Sequence, residues 1–167
     1  MIRKLFLVLL FLSFFQIESQ NLDTSNIVVD TSSSSQLYTK CFENLNQGNE
    51  IFLKYPGFQS SKFCSLITCS FLLSYKEADL QIAGEQRLIG IATQLFKEGN
   101  PVYLISGLDS SFEAAKKNEN LEDDNHIVYI SYSECISPAF LRKAAEIVNQ
   151  QTDTLTKQKY LKQSLMP

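Results

Sequence analysis

An α/β fold, a small parallel or mixed sheet flanked by helices and stabilised by two disulfides, is what this sequence predicts. Three observations carry that expectation. A helical pattern, a stop and a strand follow one another over residues 74–106. The same alternation returns over residues 126–149. Four cysteines stand behind an apolar leader. Alternating helices and strands point to a sheet with parallel strands.

The longest element is the most legible. Leu80, Leu88, Ile91, Ala92, Leu95 and Phe96 recur at helical spacing, so one face is apolar. Ser74 and Glu77 have capping-box spacing before the run. Gly99-Asn100-Pro101 ends it, because Gly turns left-handed and Pro cannot continue a helix. Residues 102–105 then read as a short strand. Gly84 and Gly90 lie inside the helix, where each costs stability relative to Ala, and are read as points of close packing on the sheet.

Ser110 and Glu113 repeat the capping-box spacing, opening a short helix over residues 112–117. Residues 127–132 are rich in β-branched and aromatic side chains and read as a strand. Ser137 suits an N-cap and Pro138 the first helical position. Leu141, Ala144, Ala145 and Val148 form the buried stripe of the helix that follows. Before the long helix, residues 37–46 read as a short helix holding Cys41. Residues 51–55 read as a strand ended by Pro56-Gly57. The apolar run at 63–73 is expected to be a buried strand over 66–73, with a helix over 61–75 as the alternative, since periodicity alone does not separate the two.

Residues 1–19 are expected to be a secretory signal peptide. Arg3 and Lys4 precede an apolar run over residues 5–15, and Ser19 offers a small residue for cleavage. A membrane-spanning helix needs about 20 apolar residues, and this run is shorter. Residues 20–36 read as a flexible Ser/Thr-rich lead-in, residues 37–150 as the α/β domain, and residues 151–167 as a polar helical tail. The expected location is therefore outside the cell or in the secretory lumen, with no membrane span once the leader is removed. With 167 residues and 44% hydrophobic content there is material for one domain with a real core. A net charge of -3 gives no reason to expect nucleic-acid binding. No cofactor is implied, and the partner is unknown.

Cys41, Cys64, Cys69 and Cys135 read as structural disulfides on an oxidising route. Cys64 and Cys69 would face opposite sides of a strand, or stand more than a turn apart on a helix, so they are not expected to pair with each other. The expected pairing is Cys41 with Cys64 and Cys69 with Cys135. A zinc site lacks the usual spacing, and His126 is the only histidine.

In a parallel sheet, functional groups gather beyond the carboxyl ends of the strands. Those ends carry Ser106, Asp109 and Ser110 after one strand and Glu134 after another, the candidate ligand-binding residues. A serine nucleophile would need a base, and His126 begins its strand on the opposite rim. Catalytic and metal residues are therefore assigned to none. Glu119, Glu122, Asp123 and Asp124 form a loop without the glycine of a calcium hand and read as solvated charge. The expected function is a secreted binding or interaction domain of unknown ligand, leaning away from an enzyme. The alternatives are a secreted hydrolase, or a fragment of one, with its site near residues 106–111, and a thiol-disulfide protein using Cys64 and Cys69.

Overall fold

The computed structural model describes residues 31–119 and 126–164. The expected leader, most of the lead-in and the acidic residues 122–124 lie outside them. Along the chain come α1 (Thr31–Thr39), α2 (Asn49–Phe52), a 3-10 turn (Ser60–Lys62), α3 (Leu66–Leu72) and α4 (Ala78–Lys97). Then follow β1 (Val102–Ser106), α5 (Ser110–Glu119), β2 (Val128–Ser133) and α6 (Ala139–Ser164). The architecture is helix-rich α/β. Among the described residues the sheet has two strands, β1 and β2, paired in parallel. Register runs from Val102 opposite Val128 to Ile105 opposite Ser131, then slips so that Ser106 faces Ser133.

The expected strand over 66–73 is a helix. Ser65 starts it as a reciprocal cap: its hydroxyl accepts from Thr68 N, and Thr68 Oγ1 accepts from Ser65 N at 3.0 Å. The signal was Ser-x-x-Thr rather than the usual Ser-x-x-Glu. The expected strand over 51–55 is not extended either: residues 51–52 end the short helix α2 and residues 53–54 form a turn. Gly48 sits at φ 72, and the amides of Ile51 and Phe52 both bond its carbonyl. Both side chains point inward, which the alternation of a strand forbids.

A third strand also has nowhere to pair, because α6 occupies the outer edge of β1. Asn149 accepts from Leu104 N at 2.8 Å and donates to Leu104 O at 2.9 Å, and Thr152 Oγ1 donates to Val102 O at 2.8 Å. The outer edge of β2 is met in the same way. Asn118, at the end of α5, accepts from Tyr129 N and donates to Tyr129 O, each at 2.8 Å. A carboxamide presents one acceptor and one donor side by side, as a neighbouring strand does. Two asparagines thus occupy polar edge groups that would otherwise template further pairing.

The long helix α4 keeps Leu80, Leu88, Ile91, Ala92 and Leu95 buried, as the spacing predicts. It starts differently: Glu77 is the N-cap without a side-chain bond, and Ser74 turns back to Phe71 O at 2.7 Å. It ends on Gly99 at φ 80, with Gly99 N bonded to Phe96 O and Asn100 N to Leu95 O. That pair of bonds is a Schellman stop. Packing differs from expectation too. α4 lies chiefly on α6 and α3, and α6 lies along β1. A Cβ at Gly84 would meet Leu72 at 2.9 Å and one at Gly90 would meet the Gln47 side chain at 2.8 Å. These glycines admit α3 and a loop, not the sheet. α6 runs unbroken past residue 150, with Thr152 buried inside it.

One core joins α3, α4, β1, β2 and α6 through Leu66, Leu88, Ile91, Val102, Ile130 and Val148. Burying each such side chain contributes roughly 1.5–3 kcal/mol. A second, smaller core gathers Ile51, Phe52, Leu72, Leu80 and Ala83. Phe63 stacks on Phe52 at 5.5 Å and on Phe58 at 5.8 Å above it.

Arg87 stands on the buried face of α4 and is 2% exposed. Its Nε donates to Gln47 O at 2.9 Å, Nη1 to Ser60 O at 2.8 Å and to Phe63 O, and Nη2 to Asn49 Oδ1 at 2.6 Å. The guanidinium carbon lies 4.7 Å from the Phe52 ring centre. One side chain therefore pins most of the irregular chain between Cys41 and Cys64 to α4.

One disulfide, Cys41–Cys64, closes that same segment, with Cα atoms 4.7 Å apart. The expected second bond does not form: Cys69 and Cys135 are free. Cys69 lies on the inner side of α3, fully buried, its thiol donating to Phe63 O at 3.2 Å. Cys135 is exposed in the loop after β2. A strand over 66–73 would set Cys69 in the sheet; as the helix α3 this stretch takes Cys69 into the core, away from that loop. Among the described residues no helix is long and apolar enough to cross a membrane.

Candidate functional site at the carboxyl ends of the strands

β1 leaves the sheet through Gly107, whose φ of 127 suits glycine and few other residues. Gly107 N bonds Ser133 O at 3.0 Å, which ties the loop after β1 to the end of β2. Asp109 is left-handed at φ 62, and α5 begins at Ser110. The expected cap of α5 by Ser110 is not what its side chain does. Ser110 is 1% exposed and its hydroxyl faces β2, 3.0 Å from Ser133 O and 2.6 Å from Ser131 Oγ.

The proton order in this cluster follows from counting donors. A hydroxyl carries one proton. Ser110 donates to the Ser133 carbonyl, so Ser131 donates to Ser110. Ser111 donates to Glu134 Oε1 and sits 3.5 Å from Ser131 Oγ. The chain of hydroxyls is thus internally satisfied. Of the four predicted residues, the fold brings all to one rim. Ser110 and Glu134 join the cluster, through Ser131 and Ser111, while Ser106 and Asp109 are exposed beside it.

His126 precedes β2, at φ 46 and exposed, where Val128 N pairs with Pro101 O at the amino ends of the strands. It is on the other rim and gives no Ser–His pair. The Ser111–Glu134 contact is a hydroxyl on an exposed carboxylate, with no imidazole between them to carry the proton. Cys64 is bonded, and burial pushes the Cys69 thiol up to about 12. An attacking thiolate needs the opposite shift. Among the described residues no group of three or more His, Cys, Asp or Glu is placed to hold a metal ion.

What sequence reasoning missed at this rim is apolar. Leu108 is 86% exposed, Phe112 73% and Ile136 94%. Leu108 and Phe112 flank the start of α5, Ile136 follows Cys135, and the Gly107–Ser133 and Ser110–Ser133 bonds hold the two loops together. A signal was available: Leu108 and Ile136 are apolar residues in loops, outside any periodic stripe. The chain matches no family model, no curated protein and no solved structure.

Proposed function

We propose that this protein is a secreted interaction domain that docks a protein partner through the rim at the carboxyl ends of β1 and β2. The observation that carries the reading is the exposure of Leu108 and Ile136 on two hydrogen-bonded loops and of Phe112 in the first turn of α5. Scattered apolar residues on a surface are ordinary, but three large ones gathered at one rim are read as a contact site. The serine cluster on the same rim has its hydroxyls hydrogen-bonded to one another, to Ser133 O and to Glu134, which suits a support for the two loops. The partner presents an apolar surface with polar groups at its edge, matching Ser106, Asp109 and Glu134. Export is supported by the basic-then-apolar start of the sequence and by the Cys41–Cys64 bond, which suits an oxidising compartment.

Cys135 supplies a native handle for the test, being exposed and next to Ile136. A short thiol-directed photocrosslinker on Cys135, in the oxidised protein returned to its source fluid, should trap one discrete adduct. The Leu108→Ser, Phe112→Ser, Ile136→Ser triple variant should lose that adduct while keeping its melting temperature. An unchanged adduct in the triple variant, or none with the parent, would overturn the reading.

A further inference from the structure

Away from the rim, a cleft of about 280 Å³ opens between the Cys41–Cys64 disulfide, the chain from Phe42 to Asn49, and Ser60–Ser61, with Arg87 among its lining residues. Ligand sites start near about 300 Å³, so this is room for a small molecule only. Its charge is distinctive. Arg87 is buried, and none of the described ion pairs includes it. A guanidinium has five N–H groups. Four of them meet Gln47 O, Ser60 O, Phe63 O and Asn49 Oδ1, all neutral acceptors. The fifth, on Nη2, has no acceptor among the described residues. Burial draws the Arg87 pKa down from its ordinary value, yet a guanidinium stays charged in proteins.

A buried positive charge without a counter-ion attracts an anion strongly, because little water screens it. The remaining walls say which kind. Asn44, Asn46 and Ser61 offer uncharged hydrogen-bonding groups, and Phe42, Leu45 and the disulfide offer apolar surface. We infer that this cleft binds a small organic carboxylate, its head directed to Arg87 and its apolar part against Phe42 and Leu45. Glu43, exposed on the same lining, opposes anions and sets the site to a single negative charge.

The test is an amide chemical-shift titration of the oxidised chain in low-chloride buffer, with benzoate, acetate and inorganic phosphate as separate probes. Benzoate should give saturable shifts at Phe42, Asn44 and Asn46, and bind more tightly than acetate. Phosphate should bind no more tightly than acetate. Arg87→Lys endangers folding, so the diagnostic variants are on the exposed wall. Asn46→Asp places a like charge in the cleft and should weaken benzoate about tenfold, and Glu43→Gln should strengthen it about threefold. Both should melt near the parent temperature. Absence of saturable shifts overturns the proposal, as does phosphate binding at least as tightly as benzoate, or benzoate affinity indifferent to Asn46→Asp.

Discussion

Between Cys41 and Cys64 the chain has only two short helical turns, and its carbonyls at Gln47, Ser60 and Phe63 converge on the single guanidinium of Arg87. In the β1–α5–β2 unit the ladder meets most backbone groups, and the outer edges are finished by Asn149 and Asn118. Both regions give partners to backbone groups that burial would otherwise leave costly. The difference lies in how the load is distributed. The first region depends on one side chain and one disulfide. The second spreads its bonds over two strands and two asparagines. On the proposed reading, that tolerance lets the sheet end in a rim that displays Leu108, Phe112 and Ile136.

The largest expected effect falls on the concentrated region. Arg87→Leu strands three carbonyls and Asn49 in the interior and should cost on the order of 3–5 kcal/mol. Urea unfolding checks it, and a cost under about 1 kcal/mol would mean that the irregular segment is held by its aromatic cluster instead.

The distributed region should respond in smaller steps. Asn149→Leu and Asn118→Leu each leave one strand amide and one carbonyl unpaired, at about 1–3 kcal/mol apiece. They act on opposite edges of the sheet, so the double variant should be additive to within about 0.5 kcal/mol. Marked non-additivity would mean that the two edges open together. Loss of these edge amides should also promote association through the bared strands.

A smaller effect is expected on alkaline titration. Burial raises both Cys69 and Tyr38 to about 12, above the ordinary 9.0 and 10.0 of the unfolded chain. Between those values the folded state holds protons that the unfolded state has lost, so stability is full below pH 9 and falls as pH rises towards 12. The loss should reach roughly 1–2 kcal/mol by pH 10, mostly from Cys69. Melting temperatures from pH 8 to 11 check it, and Cys69→Ala should flatten the slope.

The same contrast explains what was legible in the sequence. α4, its Gly99 stop, β1 and β2 follow from local periodicity and punctuation, which act within a few residues. Excluding Cys64–Cys69 leaves two pairings open by sequence; of the expected pair of bonds, Cys41–Cys64 forms and Cys69–Cys135 does not. The runs at 51–55 and 63–73 were misread because apolar content without periodicity does not distinguish a strand from a buried helix. Gly48 and the Ser65–Thr68 cap decide them locally. Arg87 was overlooked, although it sits one helical turn from Ala83 and Ile91 on the apolar face, where a charged residue ought to be conspicuous. From sequence, Asn118 falls just past the short helix over 112–117 and Asn149 at the end of the later helical run, and neither shows its role locally, since their partners are strands distant in the chain. At the rim, Ser106, Asp109, Ser110 and Glu134 could be placed from topology alone. The turning of Ser110 towards β2 could not, because its partners Ser131 and Ser133 are more than 20 residues away in the chain.

On the proposed reading, the apolar residues of the rim are exposed for contact and hold nothing of the fold together. The most direct test is the equilibrium stability of the Leu108→Ser, Phe112→Ser, Ile136→Ser variant beside the parent, both in the oxidised state. Exposed substitutions of this kind stay within about 0.5 kcal/mol each. The expected result is an unfolding curve that overlays the parent or moves slightly to higher denaturant. A loss of about 2 kcal/mol or more would show that these side chains are packed in solution, and would contradict the reading of the rim as an open docking face.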